Sequence, residues 1–198
     1  MNPKLIGITG GIGSGKSTVS EIFKYLGYKI YNSDLRAKEL IKEPAIKDKL
    51  INAFGDKIFR NDILDKELLS EIIFENRNRS ALKKINSIVH PEVKKDFKNW
   101  VKKNSNNNIL FKESALLIES ETYKELDKII LIIADKDLRV SRILERDKNR
   151  SKKEIDAIID NQVDEKKAIK HADIIIENDQ KNMLLPKVIK GLDKLLKD

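Results

Sequence analysis

Gly10-Gly11-Ile12-Gly13-Ser14-Gly15-Lys16-Ser17-Thr18 completes the pattern G-x-x-x-x-G-K-[ST] with no position missing. Ahead of it, Leu5-Ile6-Gly7-Ile8 reads as a short buried strand. Behind it, Val19, Ile22, Phe23 and Leu26 fall at i, i+3, i+4 and i+7, one face of a helix. A P-loop needs this strand-to-helix setting. Gly10, Gly11, Gly13 and Gly15 let the backbone take positive φ and come close to a ligand, so that successive N–H groups turn toward phosphate oxygens. The helix N-terminus adds its dipole. Gly11, Ile12, Gly13, Ser14, Gly15, Lys16, Ser17 and Thr18 are therefore the expected nucleotide contacts. Lys16 can bridge the β- and γ-phosphates of ATP as a point charge, and the Ser17 hydroxyl can ligate Mg²⁺. The plain alternative is a glycine-rich turn carrying a chance lysine. Five of the eight glycines lie between residues 7 and 15, which argues against it.

Composition narrows the classes. With 198 residues the chain suits a single α/β domain with excursions. It has no cysteine, so neither a disulfide framework nor a cysteine-based zinc site is open to it. No apolar run approaches the roughly 20 residues of a membrane span, and Lys4 leads into a strand without a secretory signal, so the cytoplasm is the default expectation. The formal charge of +8 suits a polyanionic ligand, yet its lysines are spread along the whole chain, as on a solvated surface. Nucleic-acid binding would want aromatics interleaved with a basic patch, whereas most Phe and Tyr here hold apolar positions of helix patterns.

Gly27 stops the first helix, and Tyr28 to Tyr31 forms a second strand that delivers Asn32-Ser33-Asp34. In open α/β sheets ligands bind beyond the carboxyl ends of the strands, which makes Asp34 a candidate base for a substrate hydroxyl. The competing reading is a cap on a helix beginning at Leu35. From Leu35 to Lys103 the pattern is helical with no interrupting strand. Ile46, Leu50, Ile51 and Phe54 mark one face, and Leu68, Leu69, Ile72 and Ile73 another after Asp65. Leu82, Ile85 and Val89 mark a helix ending before Pro91, and Val93, Phe97, Trp100 and Val101 a further one starting there. His90 is one of two histidines, and a hydrogen-bonded structural role competes with a chemical one.

After a polar turn at Lys103 to Asn108, Ile109-Leu110-Phe111 starts a third strand. Ile129 to Ala134 and Ile174-Ile175-Ile176 are aliphatic without alternation, as in parallel strands buried on both faces. Five strands alternating with helices imply a parallel sheet covered on both sides. Arg139, Arg142, Arg146 and Arg150 are spaced three, four and four apart, on one helix face. Like charges at that spacing repel mildly, so a polyphosphate ligand would account for them, with relief by Asp137, Glu145 and Asp147 as the alternative. Ser151 and Glu154 form a capping box, and about residues 147–165 read as a lid that excludes water. Val188, Leu192 and Leu195 give a last helix that covers the sheet.

These residues resemble the dephospho-CoA kinase family over essentially the whole chain. The matching elements are the Thr9 to Thr18 block, Asp34 with Arg36-Ala37, Ile73-Phe74, His90-Pro91, Leu116-Leu117 with Glu119, Arg142, Arg146-Asp147, Gln162, Ala172-Asp173 and Asn178. The resemblance implies a P-loop kinase fold, one domain over 1–198 with residues 35–103 as a helical acceptor-binding region. It implies Asp34 as general base on the 3′-hydroxyl of the dephospho-CoA ribose, Arg142 on the phosphates and Asn178 near the adenine. Thr9, Asp34, His90, Leu116 and Glu119 fall to the acceptor, with Lys16, Asp34 and Arg142 as the catalytic set. Three positions depart from the family's usual pattern: Asn32 for Asp, Ala115 for Pro and Arg139 for Gln.

The rivals are a nucleoside monophosphate kinase or other small-molecule P-loop kinase and, more remotely, a nucleic-acid-dependent ATPase. A regulatory GTPase is disfavoured, since Asn-Lys-x-Asp is missing and no glycine has an Asp three positions before it. The expected protein is a cytoplasmic monomer or weak homo-oligomer that uses ATP and Mg²⁺ on a small-molecule substrate, without nucleic acid or membrane partners.

Overall fold

The computed structural model describes residues 2–60, 63–65 and 79–197. The aliphatic runs become β1 (Lys4–Gly10), β2 (Lys29–Asn32), β5 (Ile109–Glu113), β6 (Lys128–Ile133) and β7 (Ile174–Glu177). They form one parallel sheet in the order β2-β5-β1-β6-β7. The strand ahead of the glycine-rich loop is thus its middle strand. Ile8 stands opposite Glu113, and Glu113 opposite Asn32, so β5 and β2 end together beside Ile8 while β1 runs on to Gly10.

Amphipathic helices cover the sheet because their apolar faces have nowhere else to go. On one side, Val19 and Phe23 of α1 (Lys16–Tyr25) and Val188, Leu192 and Leu195 of α8 (Leu184–Lys197) pack with Ile6, Ile8, Phe111, Ile130 and Ile132. On the other, Leu117, Leu126 and Ile129 crowd over Gly7, and α7 (Glu165–Ile169) lies against β6. At about 25 cal/mol per Å², each fully buried Ile or Phe of this core is worth about 1.5–3 kcal/mol. Ile175, expected to be buried on both faces, is 45 % exposed, because β7 is an edge strand with one face open.

Contacts divide the chain into two compact units, one of residues 1–32 and 104–198, the other of 33–103. Within the second, α2 (Ser33–Leu40), α3 (Pro44–Phe54) and α4 (Arg79–Lys103) enclose a separate cluster of Leu40, Ile46, Leu50 and Ile58. Two expectations fail here. A strand pair, β3 (Phe59–Arg60) with β4 (Ile63–Leu64), interrupts the segment read as wholly helical, and two-residue strands leave no period to detect. Pro91 does not divide two helices but lies inside α4. It is exposed, so the carbonyl that loses its N–H partner can turn to water. Ile85, Val89 and Phe97 keep one buried face through it. Leu68, Leu69, Ile72, Ile73 and Phe74 lie outside the described residues, as does the Leu82 side chain.

In the first unit, α5 (Lys136–Arg146) and α6 (Lys152–Asp160) share a third cluster, Val140, Ile143 and Ile155. α5 begins at an Asp135 cap. Ser151 and Glu154 form the expected capping box, which lowers the Glu154 pKa through hydrogen bonds from the Ser151 N–H and hydroxyl.

Candidate active site

β1 ends at Gly10 and α1 begins at Lys16, so the loop carries a buried strand into a helix N-terminus. The first N–H groups of a helix have no intrahelical acceptor, and with the dipole they make a seat for an anion. Ser17 and Thr18 are exposed in that first turn. Gly15 precedes the helix in a left-handed conformation, φ 98° and ψ 24°. A Cβ there would lie 2.1 Å from Asn178 Nδ2, so conformation and space both require glycine. Gly11, expected to serve by positive φ, has none; its missing side chain makes room for Arg139, whose Nη2 would lie 2.2 Å from an added Cβ.

Lys16 Nζ donates to the Gly10 and Gly11 carbonyls at 2.8 and 3.1 Å. A phosphate bound at Lys16 would have to replace those acceptors. The arginines of α5 meet the same loop. Arg139 Nε donates to Ile12 O at 2.8 Å and its Nη2 to Gln162 Oε1 at 2.8 Å. Gln162 Oε1 also accepts from the Ile12 N–H at 3.0 Å. Arg142 Nη1 donates to Gly13 O at 3.2 Å and Ser14 O at 3.4 Å, and Nη2 to Asn178 O at 3.0 Å. Asn178 Nδ2 donates to Ser14 O at 2.9 Å. Burial lowers the pKa of both arginines, with Glu165 acting in the opposite direction on Arg139, but an arginine stays charged at any working pH. Arg146 sits exposed in the last turn of α5. Arg150 is not on that helix at all; it follows the break at Asp147 and pairs with that carboxylate at 2.7 Å.

Beside the loop is a cavity of about 270 Å³ whose lining includes Thr9, Gly11, Glu119, Arg139, Gln162 and Asp164. Glu119 Oε1 accepts from the Val163 N–H at 3.2 Å. Leu116 is 40 % exposed, while Leu117 points into the core. In the helical unit, α2 starts at Ser33, two residues before the expected Leu35, and this puts Asp34 inside its first turn, where a carboxylate favours the helix dipole. Two residues on, Arg36 grips Asp96 of α4 with both arms of its fork, at 2.9 and 2.8 Å, and also meets Glu39. The pairing raises the Arg36 pKa and fixes α2 against α4. His90 is exposed on α4.

Sequence reasoning gave no role to Glu113. It is buried at the end of β5, with Oε2 accepting from Asn32 Nδ2 at 2.9 Å. Its place beside the loop's strand comes from the pairing of β5 with β1, which no neighbouring residue announces. Among the described residues no group of three or more His, Cys, Asp or Glu could hold a metal. A cation here would draw on phosphate oxygens and water for most of its shell, which suits Mg²⁺.

A parallel five-stranded sheet whose middle strand leads through a glycine-rich, lysine-bearing loop into a helix defines a P-loop kinase of the α/β class. A crystal structure of a Thermus thermophilus protein superposes with a TM-score of 0.86, at 28 % identity, covering 100 % of this chain and 98 % of that one. The family model described as dephospho-CoA kinase matches residues 4–183, and the chain belongs to that family. A dephospho-CoA kinase of Fusobacterium nucleatum is 40 % identical over 180 residues, 90 % of this chain and 91 % of that one. The structure of a dephospho-CoA kinase from Campylobacter jejuni has a TM-score of 0.68 and 29 % identity over 98 % of this chain and 97 % of that one. The chain is thus a kinase, a transferase of phosphoryl groups.

Proposed function

We propose that this chain transfers the γ-phosphoryl group of ATP to the 3′-hydroxyl of the dephospho-CoA ribose, the last step of coenzyme A biosynthesis. Family membership across residues 4–183 carries the acceptor, and the loop with Lys16 between strand and helix supports the nucleotide half. On this reading the loop from Gly11 to Thr18 holds the phosphates, with the N–H groups of Ile12 and Ser14 giving up Gln162 Oε1 and Gly11 O to do so. Lys16 leaves the Gly10 and Gly11 carbonyls for the β- and γ-phosphates, and Asn178 lies by the adenine. Asp34 takes the proton of the 3′-hydroxyl as that oxygen attacks the γ-phosphorus and ADP leaves. The Arg36 fork on Asp96 holds Asp34's helix while this happens. Bound Mg²⁺ neutralises phosphate charge. Ser17 and the Glu113 carboxylate are the residues that would hold it. Thr9, His90, Leu116 and Glu119 meet the acceptor, residues 35–103 are the acceptor-binding part of one kinase domain, and about 147–165 close over the site to keep out water.

No helix among the described residues is long and apolar enough to cross a membrane. We take the protein to act in the cytoplasm on a small molecule, as a monomer or weak homo-oligomer without nucleic acid. ATP consumption with separate acceptors tests the reading: dephospho-CoA should stimulate it, and AMP, CMP and DNA should not. Stimulation by AMP or CMP instead would make the chain a nucleoside monophosphate kinase, and stimulation by DNA a nucleic-acid-dependent ATPase.

A further inference from the structure

From Gly10 to Ser14, five consecutive carbonyl oxygens of the loop each accept from a side-chain nitrogen: Lys16 on the first two, Arg139 on Ile12, Arg142 on Gly13 and Ser14, and Asn178 on Ser14 as well. A peptide's C=O and N–H point in opposite directions, so a carbonyl held on one side of the loop turns the N–H of the same peptide to the other; the Ser14 N–H, on the Gly13 peptide, meets Gly11 O at 3.2 Å until a phosphate takes that acceptor's place. Lys16 has to release its two carbonyls to meet a phosphate. The arginines do not, because each is tied at a second point as well, Arg139 through Nη2 to Gln162 Oε1 and Arg142 through Nη2 to Asn178 O.

We infer that Arg139 and Arg142 are positioning residues, which hold the carbonyls of Ile12, Gly13 and Ser14 away from the nucleotide and act on its phosphates through the loop. Their two positive charges stand behind the N–H nest and raise its potential for an anion. This accounts for two arginines three apart on α5 without an arginine contact to the transferring group. It also accounts for Gly11, whose place any side chain would contest with the Arg139 guanidinium. At residue 139 the chain departs from the glutamine usual in the family it resembles, and gains a charge there.

The inference rests on the nucleotide reading above, and titration with ADP separates the two. Arg139→Met and Arg142→Met keep the apolar stems and remove the donors. Each should weaken ADP and a non-hydrolysable ATP analogue by the same factor, about tenfold, the scale of one net hydrogen bond. The KM for dephospho-CoA should change less than the ADP affinity. Arg142→Lys, which keeps charge but reaches one carbonyl, should fall in between. Gly11→Ala, with both arginines present, should resemble Arg139→Met, and these two milder variants decide the matter if a Met variant fails to fold. Wild-type ADP affinity in the variants overturns the inference. So does a loss with the ATP analogue alone, which would mean direct contact with the γ-phosphate. A wild-type chain that binds no ADP overturns the nucleotide reading and this inference with it.

Discussion

Gly15 and Gly27 both have positive φ, 98° and 90°, but an added Cβ would meet Asn178 Nδ2 at 2.1 Å at the first and nothing within 4 Å at the second. Alanine at each therefore separates backbone strain from the packing of the loop. At Gly27, a left-handed L-residue costs about 1–2 kcal/mol, partly offset by about 0.4–1 kcal/mol from a stiffer unfolded chain, for a net loss of about 1 kcal/mol. At Gly15 the same strain is joined by displacement of Asn178 and loss of its 2.9 Å bond to Ser14 O. That adds about 1–3 kcal/mol, for a total of about 3 kcal/mol. For a chain of this size the melting temperature should fall by about 3 °C in Gly27→Ala and by about 9 °C in Gly15→Ala. Calorimetric melting and ADP titration provide the check, with ADP binding weakened only in Gly15→Ala. Equal melting shifts in the two variants would refute the packing of Asn178 on the loop.

Lys16→Ala should keep the fold and lose about two to three orders of magnitude in turnover at saturating ATP, the scale for one charge-stabilising donor; unchanged turnover would remove the loop from the chemistry. Asp34→Asn keeps the length and polarity of the side chain but cannot take a proton, so it should melt near wild type while kcat falls by about 10² to 10⁴; near-normal kcat would leave Asp34 a helix-end residue only. Asp179 accepts from the Asn182 side chain, from Lys187 and from the backbone N–H groups of Lys181 and Asn182, which lowers its pKa in the folded state. Its contribution is then present above the unfolded carboxylate pKa of about 3.9 and lost as pH falls toward the folded value. Asp179→Asn should therefore be less stable than wild type at pH 7, with the gap narrowing below about pH 4 in denaturation curves.

Much of this was legible in the residues. The loop motif, its strand and its helix are contiguous, and the α8 face of Val188, Leu192 and Leu195 is a local period, so neighbouring residues suffice to read them. Tertiary contacts decided the rest. Pro91 reads as a helix boundary until the buried line of Ile85, Val89 and Phe97 is seen to continue through it. The arginine spacing pointed to a ligand, but the first partners of Arg139 and Arg142 are loop carbonyls well over a hundred residues away. No local pattern encodes those bonds. Glu113 was hidden in the same way, because only the register of β5 against β1 and β2 brings it beside the loop's strand.

The central claim is phosphoryl transfer to one hydroxyl, and following the label from ATP labelled at its γ-phosphate tests it most directly. With dephospho-CoA present, the label should appear in a product that co-elutes with coenzyme A and carries the new phosphate on the ribose 3′-oxygen. Label released as inorganic phosphate, with dephospho-CoA unchanged or phosphorylated at another position, would contradict the account.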